Sequence, residues 1–217
     1  MATIVLDRGH HGKAHDELGA ACLWGGGDID AALRAVGELE PGKSWRTTPG
    51  TWEWVYSSAL VEERLTREYM RHAEDRLRAL GHRVVIVSAG EGHGYRARWK
   101  TADALKADVY VQCHCNAGAG DYGLVVHDKR STKGKALAAR VRDALGDACP
   151  ELRRTLAHSG ERFPRAQNVI AGVRAVAVVY EPGFIDYPAH NSLWRPDGLE
   201  RVGIALADGI DEWLTTR

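Results

Sequence analysis

Five short runs rich in apolar and β-branched residues set the tightest limit on how this chain folds. They are Thr3–Leu6, Val84–Val87, Asp108–Cys113, Gly123–His127 and Ala175–Tyr180. Each is nearly continuous in apolar character rather than alternating. That pattern suits strands buried on both faces, as in parallel sheets. Helical patterns fall between them. Leu60, Leu65, Tyr69, Ala73, Leu77 and Leu80 recur at helical spacing before Gly81, and further helices are predicted over Tyr95–Lys106, Lys133–Leu145 and Leu199–Leu214. Strands alternating with helices predict an α/β fold. The expectation is a single domain over residues 1–217, with a mostly parallel, twisted sheet of about six strands and helices on both faces.

A chain of 217 residues can bury such a core without disulfides. Cys22, Cys113, Cys115 and Cys149 lack the spacing of a disulfide framework and read as reduced thiols. The formal net charge of +0 gives no broad attraction for nucleic acid or an anionic membrane, so neither is expected as a partner. No apolar stretch reaches the roughly 18–20 residues needed to cross a bilayer. The start, Met1–Asp7, has neither a basic n-region nor a long apolar h-region. It reads as a chain made in the cytoplasm without an export signal, or as one whose signal has been removed. Between about residues 19 and 58 stand Trp24-Gly25-Gly26-Gly27, Pro41-Gly42 and Pro49-Gly50, with one short helical piece near Ile29–Val36. This predicts a long surface excursion of the kind that forms lids and binding loops. Tryptophan outnumbers phenylalanine seven to two, and flat indole surfaces suit sugar rings and peptide grooves as well as cores. The arginine-rich stretch Glu151–Arg165 is expected to be a solvated loop.

Functional groups of open α/β sheets gather just past the carboxyl ends of strands. Three such ends here carry polar residues that a core would not select. The first run leads into Asp7 and then His10, the third into His114, and the last into Glu181. Glu62 or Glu63, at the start of the strongest helix, is a fourth candidate. Two histidines and a carboxylate are a standard protein ligand set for catalytic zinc. The remaining carboxylate is then free to move a proton, a division of labour that suits amide hydrolysis. Each residue also has a plain structural reading. His10 serves as a turn residue, His114 as a hydrogen-bonded core histidine, and Glu62 as a carboxylate favoured at a helix N-terminus.

Three motifs bear a resemblance to a known family. Asp7-Arg8-Gly9-His10-His11-Gly12, Ala107-Asp108-Val109-Tyr110-Val111-Gln112-Cys113-His114-Cys115-Asn116-Ala117 and Val179-Tyr180-Glu181-Pro182-Gly183-Phe184-Ile185 occur in this order. Together with the helix that leads to Gly81, they resemble the zinc N-acetylmuramoyl-L-alanine amidases of autolysins and phage endolysins. The resemblance implies a hydrolase-like fold related to the zinc exopeptidases. It implies one Zn²⁺ per chain held by His10, Glu62 and His114, with Glu63 as the fallback for the helix ligand. It also implies Glu181 as the catalytic group, and Arg8 and Asn116 beside the substrate. The implied reaction is hydrolysis of the amide between N-acetylmuramic acid and L-alanine in peptidoglycan, by a monomer of the phage-endolysin type acting on the cell wall. The alternatives are a zinc peptidase or aminoacylase of related fold and a catalytically silent wall-binding domain. Two departures stand out: Arg8 replaces the family's proline and His11 one of its glycines. Arg8 is a candidate to hold a substrate carboxylate, or else it faces solvent. The excursion with Trp24, Trp45, Trp52 and Trp54 is longer than usual and is a candidate groove wall for glycan or peptide.

Overall fold

The structure is a computed structural model and describes residues 1–10, 18–48, 50–88 and 95–216, without the side chains of Trp52 and Tyr95. His11, Gly12 and Pro49, which the sequence reading used, lie outside the described residues.

Six strands form the main sheet: β1 (Thr3–Arg8), β4 (Arg83–Val87), β5 (Val109–Cys113), β6 (Tyr122–His127), β7 (Arg154–Ser159) and β8 (Val176–Glu181). Their order is β4-β1-β5-β8-β6-β7. The first four run parallel, β6 runs antiparallel to β8, and β7 is parallel to β6. The expected α/β architecture, with a mostly parallel sheet and helices on both faces, is therefore present. Alternate side chains of each strand enter different cores. Ile4, Leu6, Val109 and Val111 meet α3 (Glu62–Ala79), α5 (Thr132–Ala148) and α7 (Pro196–Thr216) on one face. Val5, Tyr110, Val126 and Val179 meet α4 (Tyr95–Ala104) and α6 (Pro164–Ile170) on the other. Burial on both faces is why the strands read as continuous apolar runs rather than alternating ones.

α3 forms because Leu65, Tyr69, Ala73 and Leu77 make one buried stripe, with charged residues on the opposite face. α5 starts at Ser131, whose side chain accepts the Gly134 N–H at 2.8 Å. All four cysteines are free and buried.

Two regions differ from the sequence reading. Arg154–Ser159, expected in a loop, is an edge strand paired with β6 along its whole length. Leu156 and Ala157 pack onto the two cores, while Arg153 and Arg154 stay outside and pair with Asp121. Charges of this kind are common on an edge strand and mask its character in the sequence. The stretch of about residues 19–58, expected as a long surface excursion with one short helical piece, lies in a segment that contains β2 (Ala21–Leu23), α1 (Ile29–Ala35), a 3₁₀ turn at Trp45–Thr47, α2 (Thr51–Ser58) and β3 (Ala59–Val61). β2 and β3 pair antiparallel. Leu18, Ile29, Leu33, Leu39, Trp45, Val55 and Val61 bury one another as a third, smaller core. Its apolar residues are too widely spaced in sequence to show a single period.

Chain direction fixes where a site forms. β1 leads through α3 to β4 on one side, whereas β5 leads towards β6 on the other. The crevice between the carboxyl ends of β1 and β5 is thus a topological switch point, the usual ligand site of such sheets.

Candidate active site

Three adjacent strands deliver their ends to that crevice. His10 follows β1, His114 follows β5, and Glu181 is the last residue of β8. The register continues beyond the strands. The His114 N–H donates to the Tyr180 carbonyl at 2.9 Å, and the Asn116 N–H to that of Gly183 at 2.8 Å. This pairing locks the two loops together. Tyr69 of α3 steadies the same point from below, its hydroxyl donating to the His114 carbonyl at 2.9 Å.

The fourth group enters from α3. β3 runs directly into the helix, so Glu62 and Glu63 are its first residues, and both are buried. They face different partners, because successive helix positions are rotated by about 100°. Glu62 lies with the histidines: its Oε1 is 3.0 Å from His114 Nδ1 and 3.4 Å from His10 Nε2. Backbone donors complete its shell, with Cys115 N–H on Oε1 at 3.0 Å and Ala20 N–H on Oε2 at 2.7 Å. Glu63 turns away. It pairs with Arg8 at 3.1 Å and accepts the Tyr56 hydroxyl at 2.8 Å. The Arg8 Nε also donates to the His10 carbonyl at 3.3 Å. Asn116 is half-buried beside the crevice, and its Oδ1 accepts the Ala117 N–H at 2.9 Å.

Burial alone would push the Glu62 carboxyl up, but the hydrogen bonds and charges of His10 and His114 hold it well below its ordinary value. His114 moves the other way. Burial opposes its charge, yet the bond and charge of Glu62 raise it overall. Among the described residues, the Glu181 side chain has no hydrogen-bond or ion-pair partner. Burial pushes it up to about 7, with His114 lowering it and Glu62 raising it.

The donor set suits a metal ion. His10, Glu62 and His114 each offer one ligand atom, all within 4.8 Å of one another. Donors on a tetrahedral zinc with bonds of about 2.1 Å stand about 3.4 Å apart, which matches the separations around Glu62. Two glycines open the space. A Cβ on Gly9 would fall 2.2 Å from the His114 ring. One on Gly19 would fall 2.4 Å from Glu62 Oε2 and 2.8 Å from His10, and Gly19 also holds φ at +73°. We expect Gly19→Ala to destabilise the chain by about 1–3 kcal/mol and to weaken metal binding. Gly25→Ala is the control: its φ of +85° is equally unfavourable, but its Cβ would meet nothing. Chelator competition distinguishes them, and equal metal affinity in the two variants would refute the steric account.

Sequence reasoning singled out Asp7 at a strand end but found neither its partners nor the other residues that support the site. Asp7 is fully buried on the α4 face and is held by Arg98 at 2.7 Å and by the Tyr110 hydroxyl. Desolvation raises its carboxyl despite the Arg98 charge. The Phe184 backbone, just past Glu181, is clamped twice: its N–H donates to His190 Nδ1 at 3.0 Å, and its carbonyl accepts the Trp194 indole at 3.2 Å. The only hint in the sequence was an acidic residue at the end of an apolar run, which demands a counter-charge without saying where it comes from.

Comparison with known proteins follows this geometry. The family model described as N-acetylmuramoyl-L-alanine amidase matches residues 4–212. No curated protein sequence matches. Among solved structures, Cwp6 from Clostridium difficile is similar with a TM-score of 0.71 and 17% identity, over 97% of this chain and 29% of that one. This chain thus spans under a third of the length of Cwp6. The catalytic domain of CwlV, an N-acetylmuramoyl-L-alanine amidase from Bacillus (Paenibacillus) polymyxa var. colistinus, aligns at 0.70 with 20% identity, covering 100% of both chains. The catalytic domain of the CD27L endolysin, which targets Clostridia difficile, aligns at 0.59 with 15% identity over 98% of each. With almost its whole length matched by the family model, the chain belongs to the N-acetylmuramoyl-L-alanine amidase family and is a peptidoglycan amidase.

Proposed function

We propose that His10, Glu62 and His114 hold one zinc ion and that Glu181 moves the proton in hydrolysis of the amide between N-acetylmuramic acid and L-alanine. The family is generally zinc-dependent. The reading rests on one observation above the rest: two imidazoles and a carboxylate converge within 4.8 Å at the sheet's switch point, one strand away from Glu181. Bound there, zinc supplies Lewis acidity, polarising the carbonyl and easing deprotonation of water. The chain's own residues do the remainder. The Glu181 carboxylate takes a proton from the attacking water and returns it to the leaving nitrogen of L-alanine. Burial raises this carboxyl in the metal-free chain, and a group that must both accept and release a proton works best when its value lies near the working pH.

Arg8 is committed first to Glu63 and to the carbonyl of His10, which fixes the backbone of a donor. Its side chain is 20% exposed at the rim of the crevice, and a contact with a stem-peptide carboxylate is assigned to it. Asn116 has its Oδ1 occupied, so its amide N–H₂ is the group offered to substrate. A lytic role of the endolysin kind belongs to the same reading. Among the described residues no helix is long and apolar enough to cross a membrane.

The test is mass spectrometry of purified peptidoglycan digested by the protein, with and without a zinc chelator. The expected products are intact stem peptides with free L-alanine amino ends, abolished by the chelator and restored by zinc. Cuts within the stem or cross-bridge would move the chain to the peptidases. A folded, zinc-loaded chain that releases nothing would overturn the mechanism.

A further inference from the structure

Trp24 packs into none of the three cores and is 43% exposed. It follows β2 in a tight turn closed by the Gly26 N–H on the Leu23 carbonyl at 2.9 Å, with Gly25 at φ +85°. The turn displays the indole at the surface, and what singles it out is the groove it borders. It lines a groove of about 790 Å³, together with Leu60 and Leu65 at the β3–α3 junction and Trp194, Arg195 and Glu200 around the start of α7. None of the metal donors, nor Glu181, lines this groove. The side chains of Arg195 and Glu200 form no ion pair or hydrogen bond among the described residues.

The groove and the metal donors share one segment of chain. Ala20 clasps Glu62 by both its N–H and its carbonyl, and Trp24 stands four residues further on. Along α3, the lining residues Arg64 to His72 extend roughly 3–15 Å from Glu62. The lining is mainly apolar, and its three arginines are matched by three carboxylates. A stem peptide carries free carboxylates and would be met best by a net positive lining. A neutral, amphipathic ring with hydroxyl and amide groups fits the balanced one better.

We propose that this groove is a glycan subsite, taking N-acetylated sugar rings of the peptidoglycan strand with their C–H face stacked on Trp24 and their polar groups bonded by Arg195 and Glu200. The proposal rests on the amidase reading, and it can fail separately.

The experiment compares the zinc-loaded wild type with Trp24→Ala and Trp24→Phe on intact sacculi and on a soluble single N-acetylmuramoyl-peptide. Trp24→Ala should raise KM on sacculi about tenfold, the usual effect of truncating an aromatic anchor, with kcat and the small substrate unaffected. Trp24→Phe should recover most of the loss. Titration with an N-acetylglucosamine oligomer should show binding to the wild type that Trp24→Ala abolishes. Equal losses on both substrates, or no change on sacculi, would overturn the proposal. So would displacement of the oligomer by a free stem peptide, which would make the occupant a peptide. A wild type that cleaves neither substrate would sink the amidase mechanism, while oligomer binding would still decide the groove.

Discussion

Glu181→Gln should keep its zinc and lose about 10²–10⁴-fold in the rate of amide hydrolysis. The substitution preserves shape and removes only the ability to take and return a proton. Glu181 ends β8 and is not one of the three donor residues, so metal content should stay near one per chain. A Glu181→Gln enzyme with near wild-type turnover would show that another group carries the proton. The same variant makes a separate prediction about stability. In the metal-free chain the carboxyl lies at about 7, raised chiefly by burial. The folded state therefore holds a proton that the unfolded state has released, between its ordinary value of 4.5 and about 7. Stability linked to this group is fully present below 4.5 and is lost as pH rises through about 7. Metal-free Glu181→Gln should consequently exceed the metal-free wild type at pH 8 by on the order of 1–3 kcal/mol, and lose that advantage at pH 4. Denaturant unfolding at the two pH values measures it. An advantage that is independent of pH would point to packing rather than to titration.

His114→Ala should lose zinc and activity together. Residues that merely support a ligand cost about 10–100-fold in metal affinity when removed, and loss of a ligand should cost more. The fold should survive, since the backbone of His114 is held by Tyr180 and by the Tyr69 hydroxyl, and neither bond uses the imidazole. Glu62→Gln is the sharper companion. Glutamine keeps an oxygen for only one of the Cys115 and Ala20 N–H groups, which bond different oxygens of Glu62, and it removes the negative charge that the two histidines face. Elemental analysis of zinc per chain, alongside circular dichroism, separates metal loss from unfolding. Retention of about one zinc by both folded variants would overturn the assigned ligand set.

How much of this was legible in the sequence differs from residue to residue. The five apolar runs, the period of α3 and the polar residues at three strand ends were local signals, and local hydrophobic patterning determined them. So His10, His114 and Glu181 could be singled out before any strand was placed, although their convergence could not. The choice between Glu62 and Glu63 needed the tertiary structure. The two are adjacent, both are buried, and only the entry of β3 and the cover of α2 decide which one turns to the histidines and which to Arg8 and Tyr56. Arg98 and Tyr110 could not be matched to Asp7, because their positions are 91 and 103 residues away from it in sequence. The small core of residues 18–61 and the edge strand β7 were hidden for a related reason. Their apolar residues become a surface only when distant segments pack together, and their exposed charges dominate the local pattern. By itself, then, the sequence determined the secondary elements and the chemical kinds of the groups at their ends, because periodicity and turn chemistry act over a few residues. Strand order, the crevice between β1 and β5, and the partner of each buried charge were decided only by the tertiary structure, because backbone pairing and desolvation join residues that the chain keeps far apart.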